Sequence, residues 1–172
     1  MTKPATRTMA LLLTTALALA ACAPKAPKVL PPDPGNAVST NTSPGTLQGP
    51  VPGSQADFLA QMMGQDTIYF DTDKYNIDSA DQAALAAQAQ WLAKYPAKRA
   101  TIEGHCDERG TREYNLALGE RRANAAKNYL VSMGIDASRI STVSYGKERP
   151  IALGSDEASW SKNRRAVTVT ID

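Results

Sequence analysis

The sequence predicts an α+β domain in which two long helices cover one face of a four-stranded sheet. Three observations lead there. From residue 67 onward, β-patterned and helical runs follow in the order strand, helix, strand, helix, strand, short helix, strand. Two of the helical runs are long and rich in good helix formers. With only two cysteines, one of them at position 22, no disulfide framework is available, so a conventional core must hold the fold. The right-handed rule for parallel crossovers narrows the topology without choosing the strand order.

The helical part begins at 55–63, where Phe58, Leu59, Met62 and Met63 recur at helical spacing before Gly64. Residues 67–70 are a short apolar strand and 71–74 a polar turn. The run 78–91 is an alanine-rich helix with Leu85, Ala89 and Leu92 on one side and Pro96 just beyond. Residues 99–103 read as a strand, after which Gly104 opens a charged loop. The second long helix runs from Thr111 or Arg112 to Ser132 and is stopped by Gly134. On a helical wheel Tyr114, Leu118, Ala125, Tyr129 and Met133 form an apolar stripe, and Arg122 falls inside it, about 40° from Leu118. A guanidinium on the buried side of a helix needs a carboxylate or carbonyl partner. Then come a strand at 139–144, a loop at 146–153, a short helix at 157–162 whose Trp160 is expected to pack against the sheet, and a closing strand at 166–171 with Val167, Val169 and Ile171 on one face.

Ahead of the folded part the composition changes. Lys3 and Arg7 precede an apolar run over 9–21 that is too short to cross a bilayer and ends in small residues, the pattern of a processed signal peptide over 1–21. The chain carries 19 Lys and Arg against 17 Asp and Glu, and without those two leader cations the balance is 17 to 17. A cationic field is thereby excluded as a basis for nucleic-acid or anionic-membrane binding. The run Leu19-Ala20-Ala21-Cys22 resembles the lipobox of bacterial lipoproteins, which implies that Cys22 is acylated and becomes the first residue of the mature chain. Residues 22–54 hold eight prolines and scattered apolar residues, a flexible tether with a maximum reach of about 100 Å. The predicted organisation is therefore leader 1–21, lipidated Cys22 and tether 22–54, helical segment 55–66, and domain 67–172.

The segment 103–111 places Glu103, His105, Cys106, Asp107, Glu108 and Arg109 directly after a strand, where the sheet fixes the loop and leaves its polar groups to meet a ligand. Gly104 and Gly110 permit close approach or positive φ, and Thr111 is a candidate helix cap. Cys106 beside His105 invites a nucleophile or metal reading, but His105 is the only histidine, the remaining ligands are missing and no oxyanion arrangement is suggested. Asp107 and Glu108, being adjacent, do not face one another as a general acid and base would. Neither an enzyme nor a cofactor is expected.

The runs EGHCDERGTREYNLALGERRANAAKNYL at 103–130, YFDTDKYNI at 69–77, VSYGKERPIALG at 143–154 and SKNRRAV at 161–167 together resemble the peptidoglycan-associated lipoproteins of Gram-negative bacteria, a family with an outer-membrane protein A-like C-terminal domain. The resemblance implies a two-layer sandwich with a mixed sheet. It implies non-covalent binding of the meso-diaminopimelate stem peptide of peptidoglycan, with Asp107 accepting the ligand ammonium and Arg122 clamping a ligand carboxylate. Asp71 and Phe70 match the loop after the first strand, and Asn115 and Leu118 the pocket-facing part of the second long helix, Leu118 touching the aliphatic part of the ligand. Arg165 is a further candidate contact. The implied partners are peptidoglycan, TolB and other Tol proteins, and the implied place is the outer membrane, with the domain in the periplasm.

Overall fold

Each α-helix starts where an oxygen-bearing side chain accepts a backbone N–H that the helix itself leaves unpaired. Ser54 accepts from Asp57, Asp78 from Asp81, Thr111 from Tyr114 and Asp156 from Ser159. The computed structural model describes residues 49–171; the leader 1–21, Cys22 and the tether as far as residue 48 lie outside them. In order, the elements are α1 (Gln55–Met62), β1 (Thr67–Tyr69), α2 (Ser79–Lys94), β2 (Arg99–His105), α3 (Arg112–Ser132), a 3-10 turn (Ala137–Arg139), β3 (Ile140–Gly146), α4 (Glu157–Asn163) and β4 (Arg165–Ile171).

The sheet has the order β1-β4-β2-β3. Strand β4 runs antiparallel to both β1 and β2, while β2 and β3 are parallel, so α3 is the crossover between them. The sheet is therefore mixed and is covered on one face by α2 and α3, a two-layer α+β sandwich. Strand β2 continues through Gly104 to His105 instead of breaking at Gly104, with a register irregularity against β3 at that point. Cys106 N–H then donates to the Gly146 carbonyl at 2.8 Å and holds the start of the loop to the neighbouring strand.

Phe58 and Met62 of α1, Leu85, Trp91 and Leu92 of α2, Ile102 of β2 and Leu130 of α3 belong to one core. The 55–66 segment thus contributes to the same core as the rest of the domain. Trp91 packs edge-on against Phe58 at 5.0 Å between ring centroids, which fixes α1 to α2. On β4 it is Ala166, Thr168 and Thr170 that are buried, while Val167 and Val169 are half-buried and Ile171 is exposed. Gln88 of α2 satisfies the Thr168 hydroxyl at 2.7 Å, which lets a polar residue occupy the covered face.

The buried face of α3 differs from the predicted stripe. Leu118 and Arg122 are on it, but Tyr114 and Met133 are exposed, and the rest of the face is Asn115, Gly119, Ala123, Ala126 and Leu130. Weighting the large apolar side chains turned the stripe away from the true contact, which small residues make because the helix lies close on the sheet. A Cβ on Gly104 would collide with the Gly119 carbonyl, so the two glycines set that spacing. Gly104→Ala is therefore expected to destabilise the domain by about 1–3 kcal/mol, read from urea denaturation. A loss below about 0.5 kcal/mol would mean that the helix can lift off without consequence.

Candidate ligand-binding site

Four segments meet at the carboxyl end of β2. The strand ends at His105 and delivers Cys106 and Asp107; the turn after β1 supplies Thr72 and Asp73; the first turns of α3 supply Tyr114, Asn115, Leu118 and Arg122; and Arg164 arrives between α4 and β4. They enclose an open cavity of about 520 Å³. Asp107, Arg122, Asn115 and Leu118, which the family resemblance put in one site, all line it.

Asp107 is 7% exposed and does not stand free. Its Oδ1 accepts from the Arg109 backbone N–H and from Arg109 Nε, both at 3.1 Å. Its Oδ2 accepts from Arg109 Nη2 at 2.6 Å and from Arg164 Nη1 at 3.3 Å. Burial alone would raise its pKa, but the hydrogen bonds and charge of Arg109, helped by Arg164, hold it below the usual carboxylate range. Arg109 also donates to Thr72 Oγ1 at 3.2 Å and lies 4.2 Å over the Trp160 ring, whose indole N–H donates to Glu108. Trp160 thus braces the loop of the site instead of packing α4 against the sheet.

Arg122 is fully buried. Its Nε donates to the Lys74 carbonyl at 2.9 Å, Nη1 to His105 at 2.8 Å and Nη2 to Asp71 at 3.1 Å. Three of about five guanidinium N–H groups are spent on carbonyls, and one on each terminal nitrogen remains. The partner that the helical wheel demanded is the main chain. Arg122 holds the turn after β1 to the end of β2, with its guanidinium 5.1 Å over the Phe70 ring. Asn115 works in the same way, donating to the carbonyls of Arg109 at 2.7 Å and Thr111 at 3.1 Å and closing the loop on the start of α3.

The other expected residues are placed differently. Phe70 and Asp71 line a second, smaller recess that shares Arg164 with the first. The Asp71 carboxylate is exposed and pairs with Lys74 at 3.1 Å. Arg165 does not line the main cavity; it is buried at the start of β4, where it donates to the carbonyls of Asn163 and Arg149. Its neighbour Arg164 takes the place in the cavity, because successive residues entering a strand point to opposite sides. Arg109 and Arg164 are the site cations that sequence reasoning missed. The paired arginines of NRR were the available signal for the second.

Cys106 is buried, its Sγ 3.3 Å from the Asn115 carbonyl, and burial pushes the thiol up to about 11, which suits an inert packing residue. Among the described residues no group of three His, Cys, Asp or Glu is placed to hold a metal ion. His105 is 2% exposed with neither ring nitrogen hydrogen-bonded; Glu103 is 3.6 Å from Nε2, too far for a hydrogen bond. Burial, reinforced by Arg165 and Arg149, lowers its pKa from 6.5 to about 4. The folded state thus excludes a proton that the unfolded chain accepts. The stability His105 permits is fully present above about pH 6.5, is lost as pH falls towards 4, and then levels off. Denaturation at pH 7 and 4.5 is expected to differ by about 2 kcal/mol from this group, and His105→Gln to remove most of that difference. An unchanged slope in the variant would assign the acid sensitivity to other groups.

Residues 69–164 match the model of the OmpA family. The chain is 55% identical over 153 residues to a peptidoglycan-associated lipoprotein of Rhizobium meliloti, covering 89% of this chain and 81% of that one. It is 48% identical over 161 residues to one of Brucella melitensis, covering 94% and 90%. The crystal structure of the peptidoglycan-associated lipoprotein from Burkholderia pseudomallei superposes with a TM-score of 0.60 at 48% identity, covering 61% of this chain and 89% of that one. The cell wall anchor of the T6SS from Pseudomonas aeruginosa, at 22% identity and a TM-score of 0.56 over 70% of this chain and 98% of that one, shares the fold.

Proposed function

The chain belongs to the OmpA family and, within it, to the peptidoglycan-associated lipoproteins, and from that membership we propose that it ties the outer membrane to the cell wall by holding the diaminopimelate-bearing stem peptide of peptidoglycan. It is not an enzyme; its chemistry is recognition. The observation that carries the reading is the meeting of one shielded carboxylate with two buried guanidinium groups in a single open cavity. A zwitterionic amino-acid centre needs that pairing: a carboxylate for its ammonium and planar multidonor cations for its carboxylate.

In this reading the ligand ammonium takes the place on Asp107 that Arg109 Nη2 fills in the free protein. Arg109 withdraws towards Trp160, on which it already stacks. The remaining N–H groups of Arg122, together with Arg164, receive the ligand carboxylate, and Leu118 meets the aliphatic stem. Such an exchange keeps Asp107 paired in both states, so a buried charge is never left alone.

Calorimetric titration with diaminopimelate-type and lysine-type stem peptides tests the reading. The lysine type lacks the extra carboxylate, so the diaminopimelate type is expected to bind at least about tenfold more tightly, a difference of about 1.4 kcal/mol. Equal affinities would remove the diaminopimelate assignment.

The membrane end of the link rests on Cys22. Acylated there, the tethered domain meets the wall at a raised effective concentration, so the wall contact need not be tight by itself. Intact mass of detergent-extracted protein from a Gram-negative host is expected to show loss of the 21-residue leader and gain of lipid. Cys22→Ser is expected to release the protein from the membrane without changing its thermal unfolding; membrane retention of that variant would overturn the anchor. Family membership also supports binding of TolB in competition with the wall, which predicts that saturating stem peptide weakens a preformed TolB complex by mutual linkage.

A further inference from the structure

The second recess shares Arg164 with the main cavity and has a volume of about 260 Å³. Its wall includes Asp71, Asn76, Asp78, Asp81 and Ser161. Asp81 sits in the first turn of α2 and is 7% exposed. Its Oδ1 accepts the Tyr69 N–H at 3.2 Å, which caps the free edge of β1. Its Oδ2 is buried and has no hydrogen-bond partner. Asp78, one helical turn earlier, spends Oδ1 on the Asp81 N–H at 2.8 Å as the helix cap. Burial and the nearby Asp78 carboxylate raise the Asp81 pKa, while the hydrogen bond from Tyr69 opposes them.

Asp81 lines the recess, and a buried carboxylate oxygen without a donor is costly unless something brings a donor or a positive charge. Arg164 does not serve, although it lines the recess: its Nε donates to the Phe70 carbonyl and its terminal nitrogens go to Asp107 and Glu157. Lys74 pairs with Asp71. A divalent metal does not fit, since no three potential ligands converge there among the described residues. An anion is repelled by the Asp78 and Asp81 carboxylates. A primary ammonium fits. It carries one charge and three N–H donors, enough for Asp81 Oδ2, Asp78 and one of the neutral oxygens of Asn76 or Ser161.

We propose that this recess is a second binding site, one that takes a primary ammonium on a short aliphatic stem between Asp81 and Asp78. The site is separate from Asp107, so it stands or falls independently of the wall-binding reading. Arg164 lines both cavities, so an extended wall ligand carrying a second amine is one candidate source of the ammonium; a separate amine-bearing molecule has the same chemistry.

The test is a titration of the full-length, isotope-labelled protein with butylammonium at pH 7, followed by the amide resonances of Tyr69, Asn76 and Ser161, with butanol and butyrate as controls. Saturable shifts with butylammonium alone are expected. Asp81→Asn, which keeps the acceptor for the Tyr69 N–H, is expected to weaken binding at least tenfold. Asp78→Asn is expected to weaken it too while still capping α2, and it serves if Asp81→Asn lowers thermal stability. Shifts at the Tyr69, Asn76 and Ser161 amides without matching shifts at Cys106, Asn115 and Leu118 are expected, which separates this site from the main one. Addition of diaminopimelate stem peptide identifies the source: displacement of butylammonium assigns the amine to the wall ligand, and simultaneous occupancy assigns it to a separate molecule. Absence of saturable shifts, equal binding of butanol, or unchanged affinity in both variants would overturn the proposal.

Discussion

Asp107→Asn is expected to weaken binding of the diaminopimelate stem peptide by at least about thirtyfold, because removing one partner of a buried charged pair costs about 2–5 kcal/mol. The substitution keeps the shape of the side chain and removes its charge. In the free protein it also releases Arg109, which in the wild type presents three donors to that carboxylate. The opposite change gives a control of opposite sign. Arg109→Gln removes the resident cation and leaves the Asp107 carboxylate to Arg164 and the ligand, so it is expected to bind the stem peptide more tightly than wild type. The acid response follows from the lowered pKa of Asp107. Its contribution to the fold is fully present above the unfolded value of about 3.8 and disappears as pH falls through the lower folded value. Ligand binding is therefore expected to persist through pH 5 and to fail only in stronger acid. Wild-type affinity in a folded Asp107→Asn protein would remove Asp107 from the site, and weaker binding by Arg109→Gln would make Arg109 a ligand contact in its own right.

What could be read in the sequence, and what could not, divides along physical lines. The bounds of α3 were legible because Thr111 caps it and Gly134, at φ +94°, stops the chain beyond it. Arg122 was legible as a buried cation because periodicity alone put it on the covered side. Its partners were not, since the Lys74, Asp71 and His105 carbonyls come from segments that carry no side-chain signal for that role. The orientation of α3 was misjudged because its contact is made by Gly119, Ala123 and Ala126, which hydrophobic weighting undervalues next to Tyr114 and Met133. The choice between Arg164 and Arg165 turned on where β4 begins: a one-residue change of phase exchanges the side facing the cavity for the opposite one. Asp107 itself came from resemblance, and its pairing with Arg109 depends on a loop conformation that no periodicity governs.

Arg122→Lys is expected to lower the stability of the domain by about 3 kcal/mol or more, although the charge is kept. The guanidinium reaches carbonyls on two segments, the turn at 71–74, whose Lys74 and Asp71 lie 48 and 51 residues earlier in the chain, and the end of β2, whose His105 lies 17 residues earlier. A single ammonium on a thinner stem cannot span the three positions. At least one of the three carbonyls is left without a donor, at a cost of about 1–3 kcal/mol, and the lost packing of the planar group over Phe70 adds to it. Arg122→Met, similar in length and without donors, leaves all three and is expected to cost more. Urea denaturation measures both losses, and amide hydrogen exchange locates them. The 71–74 turn, which Arg122, Tyr114 and Arg109 tie down through Asp71, Asp73, Lys74 and Thr72, is expected to lose protection before the sheet does. That order separates two roles that binding data alone confuse. If Arg122 served only as a clamp for ligand, Arg122→Lys would match wild type in stability to within about 0.5 kcal/mol and differ only in affinity. If it served only to hold the turn, the lost affinity would return under conditions where the variant is fully folded. The geometry expects both losses, because the turn that Arg122 fixes supplies Thr72 and Asp73 to the wall of the cavity that Arg122 itself lines.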